Sequence, residues 1–222
     1  MHPSSLRATA GGNTRVTRCF AFVDLCGFTD FADTHEDDEV VAELKVMRST
    51  IREVAPIAGI RVDKWLGDGA LLVGVDCEPL VAAVLVIRQR LSHESRLTLR
   101  AGIASGDVIV LEGDDYVGRA VNVAARLCEV AAPGRIVAWT NQLEIPEWAT
   151  STPMEPVRVK GMARYVDAVA LEIDESVIDT VWTAPARALR SIMALMHPRP
   201  RVAPASDASE AGAAAEPGAE AG

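Results

Sequence analysis

The chain has 222 residues, of which 49% are hydrophobic, and a formal net charge of −9. This length and composition predict one domain with additional segments, in which about 150 residues could bury most of the surface that the unfolded chain exposes. The acidic balance argues against nucleic-acid binding, because phosphate backbones select basic surfaces. It leaves nucleotide binding open, because divalent cations can offset local repulsion.

The N-terminus lacks a signal-peptide pattern, and the longest uncharged apolar run, 79–87, is too short to span a bilayer. The four cysteines lie far apart and have no zinc-type spacing, so they are predicted to be reduced thiols. The sequence contains no Walker A loop, G-x-G-x-x-G or G-x-S-x-G motif. We therefore expect a cytoplasmic protein without the commonest nucleotide-fold and hydrolase signatures.

The first half of the chain predicts a strand, a helical region and a hairpin. Residues 1–16 are rich in Ser, Gly, Thr and Arg without periodicity, which predicts a flexible N-terminal segment. "RCFAFVD" (18–24) is typical of a buried strand, and 28–57 carries helical periodicity with an acidic start that suits the helix dipole. "VDKWLGDGALLV" (62–73) predicts a β-hairpin around its Asp-Gly turn.

The rest of the core alternates between helix and strand. The predicted elements are a helix at 79–91, a strand at 97–111, a helix at 118–130, the strand "GRIVAW", and a terminal strand pair formed by "VRVKG" and "RYVDAVALEI". Hairpins require antiparallel neighbours, so the pattern predicts an α+β domain with helices on one face of a mixed sheet, rather than a doubly wound fold. We place this domain at 17–173.

Two further segments follow the core. In 174–201, apolar residues at helical spacing after a proline predict an amphipathic helix, formed by Leu189, Ile192, Met193 and Met196. Packing on the domain or on a partner is the favoured interpretation, and contact with an anionic membrane is the alternative. Residues 202–222 are acidic and rich in Ala and Pro, which predicts disorder.

Three polar residues stand out within this pattern. Asp24 ends the first strand and precedes "LCGFT", where it could cap a helix or bind a metal ion beside exposed backbone N–H groups. Asp68 lies at the hairpin tip, a position where Asp is also a common turn residue. Lys64 lies in a short strand, where a lysine is often solvated. Strict alternation predicts that Lys64 shares its face with Val62 and Leu66, opposite Asp63 and Trp65.

A second polar group lies in "DDYVGRAVNVAARL". Asn122 and Arg126 are four residues apart on a predicted helix and therefore share a face. Asp115 precedes Asn122 by seven residues, in the turn that enters the helix. Taken singly, these residues could be a surface amide, an extended arginine over apolar surface and a turn carboxylate.

The combination resembles the catalytic domain of class III nucleotidyl cyclases, of the bacterial homodimeric adenylate cyclase type. The resemblance covers about residues 18–172 and rests on five motifs that occur in the family's order: "FVDLCGFT", "KWLGDG", "LRAGIASG", "DYVGRAVNVAAR" and "VKG". It implies a ferredoxin-like α+β domain, with a mixed, mostly antiparallel sheet and helices packed on it. It also implies a head-to-tail homodimer.

The resemblance implies a role for each matching residue. Asp24 and Asp68 would ligate two divalent ions, Mg²⁺ or Mn²⁺, with help from the Leu25 carbonyl. Lys64 and Asp115 would read the purine edge. The remaining implied contacts are Asn122 to the ribose, Arg126 to the pentacoordinate phosphorus, and Arg100 and Lys160 to the β- and γ-phosphates. From the residues themselves, the backbone N–H groups of Phe28 and Thr29, at the predicted start of a helix, are candidates to bind a polyphosphate.

The implied activity is adenylate cyclase, which converts ATP to 3′,5′-cyclic AMP and pyrophosphate with two-metal assistance. A Lys donor and an Asp acceptor match N1 and the 6-amino group of adenine, whereas guanylyl enzymes of the family typically carry Glu and Cys at these positions. The alternative is a non-catalytic cyclase-like module that binds nucleotide and regulates a partner. The presence of every matching catalytic residue argues against that alternative.

Overall fold

The computed structural model describes residues 7–8, 14–112, 115–146, 148–159 and 165–173. The strands are β1 (Arg7–Ala8), β2 (Thr14–Cys26), β3 (Arg61–Leu66), β4 (Gly69–Gly74), β5 (Thr98–Leu111), β6 (Asp115–Val117), β7 (Ile136–Trp139), β8 (Ala149–Pro153) and β9 (Ala168–Ile173). The helices are α1 (Phe28–Thr34), α2 (Asp37–Ile57), α3 (Cys77–Glu94) and α4 (Arg119–Val130).

All of these strands belong to one sheet, in the order β3-β4-β2-β5-β7-β9-β8, with β1 paired to β2 and β6 paired to β5. Among the described strand pairs only β5–β7 is parallel, and α4 forms the crossover between these two strands. The long β2 and β5 pair along their whole length at the centre. The predicted α+β domain with a mixed, mostly antiparallel sheet is confirmed.

Helices cover both faces of the sheet, whereas the sequence pattern predicted them on one face. Residues of α2 and α3 pack with one side of β2, represented by Cys19 and Ala21, in the larger apolar core. Residues of α4 pack with the other side of β2, represented by Phe20, in a second core. The prediction was wrong because β2 and β5 are apolar on both faces, which calls for a cover on each side.

Several boundaries differ from the predicted ones. β2 begins at Thr14 and β1 pairs with it, so parts of the N-terminal segment 1–16 join the sheet. The predicted helical region 28–57 is two helices separated at His35 and Glu36. The terminal strand pair is also different, because β9 pairs with β8, while "VRVKG" contributes only the isolated bridge between Val157 and Val166 among the described residues.

A β-bulge in β3 overturns the predicted alternation of the hairpin. Val62 pairs with Leu72, but Lys64 pairs with the next residue of β4, Leu71, so that Asp63 is the extra residue. Such a bulge rotates the residues that follow it to the opposite face. Val62 and Trp65 therefore pack on the α2 side of the sheet, and Lys64 turns to the α4 side instead of sharing a face with Val62.

The predicted C-terminal helix and the acidic tail lie outside the described residues. Within the described ranges, no helix combines the length and the apolar character that crossing a membrane requires. Cys19, Cys26, Cys77 and Cys128 are all free thiols, as the sequence predicts.

Candidate active site

The polar residues singled out from the sequence lie mostly on one face of the sheet, the face covered by α4. Asp24 follows Phe20 and Phe22 at two-residue spacing on β2, and Phe20 belongs to the core beneath α4. Arg100 of β5 pairs directly with Asp24 across the strands. Since alternate residues of a strand share a face, Asp24, Arg100 and the bulge-rotated Lys64 point to the same side.

Asp24, Asp68 and Arg100 form a half-buried group that we name the carboxylate corner. The hairpin turn that carries Asp68 is tied to β2, because Leu25 donates its N–H to the Asp68 carbonyl at 3.2 Å and Asp24 pairs with Gly69. The approach is so close that a Cβ at Gly69 would lie 2.7 Å from the Val23 carbonyl oxygen and 3.4 Å from Oδ1 of Asp24. A glycine is therefore required for the turn to bring Asp68 beside Asp24.

The charges of the carboxylate corner are partly matched. Arg100 donates from Nε and Nη2 to the same Asp24 oxygen, Oδ2, at 2.9 and 2.7 Å. The pKa of Asp68 is raised, chiefly by burial and further by the nearby charge of Asp24. A raised carboxyl pKa means that nearby positive charges and hydrogen bonds do not fully compensate the ionised form for its burial. A cation between the two carboxylates would supply that compensation.

The donor set fits a hard divalent cation. Carboxylates and backbone carbonyls are the oxygen ligands that Mg²⁺ and Mn²⁺ prefer. Among the described residues no group of three or more His, Cys, Asp and Glu side chains is arranged to hold a metal ion. The carboxylate corner offers the oxygens of Asp24 and Asp68, and a divalent ion bound by one or two carboxylates commonly takes its other ligands from water or substrate phosphates.

Lys64 and Asp115 form a second charged group on this face. Lys64 Nζ lies 2.5 Å from Oδ1 of Asp115, which begins β6. The two side chains are 48% and 51% exposed, so both remain accessible to a ligand. The hydrogen bond from Lys64 lowers the pKa of Asp115, which keeps that carboxylate ionised. Nearby, the Tyr116 ring packs edge-to-face on Phe20 at 5.3 Å and anchors β6 over the sheet.

The two groups are separate within one chain. Lys64 is level with Leu71 and Phe22 in the strand register, and Asp24 lies two residues further along β2. Two strand spacings and two residues along a strand place the Cα atoms of Lys64 and Asp24 about 12 Å apart. The carboxylate corner and the Lys64–Asp115 pair are therefore distinct subsites of this face.

Helix α4 presents Asn122 and Arg126 on its outer side, as their spacing predicts. The apolar residues Val123, Ala124 and Leu127 face the sheet, whereas Asn122 is exposed. The helix lies so close to β5 that a Cβ at Gly102 would come within 2.2 Å of the Ala124 carbonyl oxygen. This contact fixes α4, and with it Asn122 and Arg126, against the strand that carries Arg100.

One contact of α4 was not anticipated from the sequence. Arg126 donates to both carboxylate oxygens of Glu129, at 2.7 and 2.5 Å. The Glu129 carbonyl in turn accepts a bond from Arg100 Nη1 at 3.2 Å. Glu129 therefore links Arg126 to the carboxylate corner. The i, i+3 spacing of Arg126 and Glu129 is the sequence signal that could have identified this pair.

The remaining predicted residues divide into two cases. Phe28 and Thr29 begin α1 after Gly27. The first hydrogen bond of this helix runs from the Phe31 N–H to the Gly27 carbonyl at 3.0 Å, so the N–H groups of Phe28 and Thr29 lie before it, at the N-terminus of the helix. Phe28 packs against the larger core and Thr29 is exposed. Lys160 lies outside the described residues, so its predicted phosphate contact stays a prediction.

Known proteins resemble this chain in sequence. An uncharacterized protein of Mycobacterium tuberculosis is 32% identical over 173 residues, covering 77% of this chain and 45% of that protein. An adenylate cyclase of Streptomyces coelicolor is 30% identical over 120 residues, covering 54% of this chain and 31% of that enzyme. The chain thus spans less than half the length of these relatives. No protein-family model matches it.

Solved structures resemble the described domain closely. The adenylyl cyclase CyaB from P. aeruginosa superposes with a TM-score of 0.67 at 22% identity, covering 73% of this chain and 97% of that one. The guanylate cyclase domain of RhGC from Catenaria anguillulae, solved with GTP, gives 0.63 at 18% identity, covering 72% and 97%. The described domain therefore has the fold of adenylate and guanylate cyclase catalytic domains, and the chain is similar in sequence to bacterial adenylate cyclases over about half of its length, as its motifs predict.

Proposed function

We propose that this chain is an adenylate cyclase, which converts ATP to 3′,5′-cyclic AMP and pyrophosphate. One observation carries the proposal: a single face of the sheet presents a pair of carboxylates suited to cations and, separately, a Lys–Asp pair whose donor and acceptor are complementary to the edge of adenine. The first subsite suits the triphosphate and the second suits the base. The coarser assignment to the adenylate and guanylate cyclase family leaves the choice of nucleotide to these side chains.

In this proposal Asp24 and Asp68, with the Leu25 carbonyl, hold two divalent ions, Mg²⁺ or Mn²⁺. When bound, the ions supply activation of the ribose 3′-OH and neutralise the charge that develops on the leaving pyrophosphate. The carboxylates hold their positions through the backbone link from Leu25 to Asp68. Arg100, which is bonded to Asp24, lies at the border of the corner and would contact the outer phosphates together with Lys160 and the N–H groups of Phe28 and Thr29.

Asn122 and Arg126 would act on the reacting atoms. Asn122 would orient the ribose, so that its 3′-OH lies in line with the α-phosphate. Arg126 would stabilise the charge that spreads over the pentacoordinate phosphorus, because a guanidinium offers a planar fork of donors. Positioning and electrostatic stabilisation would then provide most of the rate enhancement.

The choice of ATP rests on Lys64 and Asp115. Adenine presents an acceptor at N1 and a donor at its 6-amino group, which match the ammonium of Lys64 and the carboxylate of Asp115. Guanine presents the reverse pattern and would bring like groups together. The hydrogen bond from Lys64 lowers the pKa of Asp115 and keeps that carboxylate ionised, so the donor and the acceptor are already paired and defined without ligand.

We further propose that each site is shared between two chains in a head-to-tail homodimer. One chain would contribute Asp24, Asp68 and Arg100, and the other would contribute Lys64, Asp115, Asn122 and Arg126. The separation of the two subsites within one chain supports this arrangement, and a symmetric dimer would contain two such sites. The division into a catalytic domain at 17–173, an extension at 174–201 and an acidic tail at 202–222 stays part of the same proposal.

The test is a turnover assay on the full chain with ATP or GTP in the presence of Mn²⁺, which measures pyrophosphate release and the cyclic nucleotide formed. We expect cyclic AMP from ATP and no activity from an Asp24→Ala, Asp68→Ala double variant. Binding of nucleotide, seen as a rise in melting temperature, without turnover would support the non-catalytic module instead. A chain that neither binds nor turns over nucleotide would contradict both.

A further inference from the structure

The hairpin turn that carries Asp68 is contacted from the opposite face of the sheet by α2. Arg48 of α2 donates from Nη2 to the carbonyl oxygen of Gly67 at 3.3 Å. The same guanidinium lies over the Trp65 ring, with its central carbon 5.3 Å from the ring centroid. Trp65 is on β3, two residues before Gly67, so one side chain contacts both the strand and the turn that follows it.

Arg52 provides a natural comparison within the same helix. Its guanidinium carbon also lies 5.3 Å from the Trp65 centroid. Arg48 and Arg52 are one helical turn apart and contact the same ring. Among the contacts of the described residues, only that of Arg48 extends to the carbonyl of Gly67. The two arginines therefore share their stacking contact and differ in the hydrogen bond to the turn.

We propose that Arg48 is a positioning residue for Asp68, and this inference rests on the proposed function. The Gly67 carbonyl belongs to the peptide unit that connects Gly67 to Asp68. A donor on that oxygen limits rotation of the peptide plane, and therefore limits the directions in which the Asp68 carboxylate can point. The Leu25 N–H holds the carbonyl on the other side of Asp68 at 3.2 Å, so Asp68 is fixed at both of its peptide units.

Arg48 acts through geometry rather than through its charge. Arg48 approaches from the α2 side, where Trp65 packs on the larger core, whereas Asp24 and Arg100 point to the α4 side. A change at Arg48 should therefore alter the alignment of the metal ligands and leave the base-reading pair of Lys64 and Asp115 unchanged.

The experiment compares three variants of the full chain: Arg48→Met, Arg52→Met as the matched control, and Arg48→Lys. Each is assayed for kcat, for the KM of ATP, for the Mn²⁺ concentration that gives half of the full activity, and for melting temperature. Both Met substitutions remove one stacked guanidinium from Trp65, so similar losses of melting temperature are expected. Only Arg48→Met should lower kcat, by about tenfold to a hundredfold, because small misplacements of reacting groups cost that much.

Two further measurements distinguish a positioning role of Arg48 from a role in stability alone: the Mn²⁺ dependence of Arg48→Met and the recovery of kcat in Arg48→Lys. Arg48→Met should raise the Mn²⁺ concentration for half activity several-fold, with little change in the ratio of ATP to GTP turnover. Arg48→Lys, which keeps a donor for the Gly67 carbonyl, should recover most of kcat. Arg52→Met should retain wild-type kcat and metal dependence within about twofold, since among the described residues Arg52 shares the stacking contact on Trp65 but has no bond to the Gly67 carbonyl.

Each outcome bears on a different claim. If the wild type is active and the two Met variants lose kcat and metal affinity equally, Arg48 only stacks on Trp65 and the inference is wrong. If Arg48→Met does not fold, Arg48→Leu takes its place: a loss of kcat and metal affinity in Arg48→Leu that Arg52→Met does not show supports the inference, and equal behaviour of these two variants contradicts it. If the wild type shows neither turnover nor a Mn²⁺-dependent rise in melting temperature, the proposed function fails and the positioning role fails with it.

Discussion

The two charged groups on the α4 face differ in how their charges are balanced. The Lys64–Asp115 pair is about half exposed and neutralises itself through one short hydrogen bond. In the carboxylate corner, Arg100 bonds Asp24, while burial and the neighbouring carboxylate raise the pKa of Asp68. One group is electrostatically complete before any ligand binds, and the other is short of positive charge.

This difference indicates what each group would bind. The Lys64–Asp115 pair is already neutral and gains nothing from a cation, but it offers a fixed hydrogen-bond donor and a fixed acceptor to the edge of a nucleotide base. A pair of carboxylates with one arginine gains most from a divalent ion. The bulge at Asp63 brings both groups to one face, because it turns Lys64 away from the α2 side and towards β6.

The largest expected effect is that of Asp68→Asn, which keeps the shape of Asp68 and removes its charge. Loss of a metal ligand should remove about 4 kcal/mol of transition-state stabilisation, which lowers kcat by about a thousandfold.

In metal-free buffer near pH 7 the Asp68→Asn variant should melt slightly higher than the wild type, by about 1 °C, because a carboxylate without a compensating positive charge has been removed. Asp115→Asn is the control, and it should show no such gain, since its carboxylate is already bonded to Lys64. Equal melting shifts would contradict the contrast.

The next effect concerns base selectivity. The wild type should prefer ATP over GTP, because guanine would leave Lys64 and Asp115 facing like groups. Polar groups that a bound base buries without a partner cost about 1–3 kcal/mol each, or roughly tenfold to a hundredfold for each residue. The double variant Lys64→Glu, Asp115→Cys should weaken or reverse the preference, measured as the ratio of kcat/KM for the two nucleotides. Comparable wild-type values for ATP and GTP would remove the basis for assigning ATP.

A third effect is the pH dependence of metal stabilisation. The pKa of Asp68 lies above its ordinary value of 3.8, so the folded protein retains this proton more strongly than the unfolded chain does. As the pH rises from 3.8 through the raised pKa, the ionised Asp68 destabilises the fold, and a bound cation relieves that cost. The rise in melting temperature on adding Mn²⁺ should therefore be larger at pH 7 than at pH 5. In Asp68→Asn this pH dependence should largely disappear, and an unchanged dependence would show that another group is responsible.

The smallest expected effect is that of Glu129→Gln. The variant weakens the ion pair that holds Arg126 on its own helix, and an exposed pair of this kind contributes only about 0.2–1 kcal/mol. Stability should therefore change little, while kcat should rise by up to about threefold, because Arg126 becomes easier to recruit to the phosphorus. A fall in kcat of tenfold or more would mean that Glu129 orients Arg126 for the reaction rather than competing for it.

The sequence predicted the parts of the fold that depend on local patterns. The strand at Asp24, the Asp-Gly hairpin, the helix of Asn122 and Arg126, and the antiparallel character of the sheet are confirmed by the structure. Each is encoded in a short run of residues through periodicity or turn chemistry. The five motifs lie on these segments, with the exception of "VKG", which extends beyond the described residues, and the site that they imply stays a prediction.

Features that arise from contacts between distant segments could not be predicted in the same way. Alternation alone cannot reveal the bulge at Asp63, because an extra residue is defined only by the pairing with β4. The second helical layer depends on the close approach of α4 to Gly102. The bonds from Arg48 to Gly67 and from Arg100 to Asp24 join residues 19 and 76 positions apart, and no pattern within one element indicates them.

The central claim is that the carboxylate corner of one chain works with the Lys64–Asp115 pair of another. Mixing two inactive variants, Lys64→Ala and Asp68→Ala, tests it most directly. Each homodimer lacks an essential group in both sites, whereas a mixed dimer has one site that lacks both groups and one that is intact. With random exchange, half of the dimers are mixed, and about a quarter of wild-type activity should return if the sites act independently. If verified subunit exchange restores no activity, the two residues serve the same site and the shared-site arrangement is contradicted.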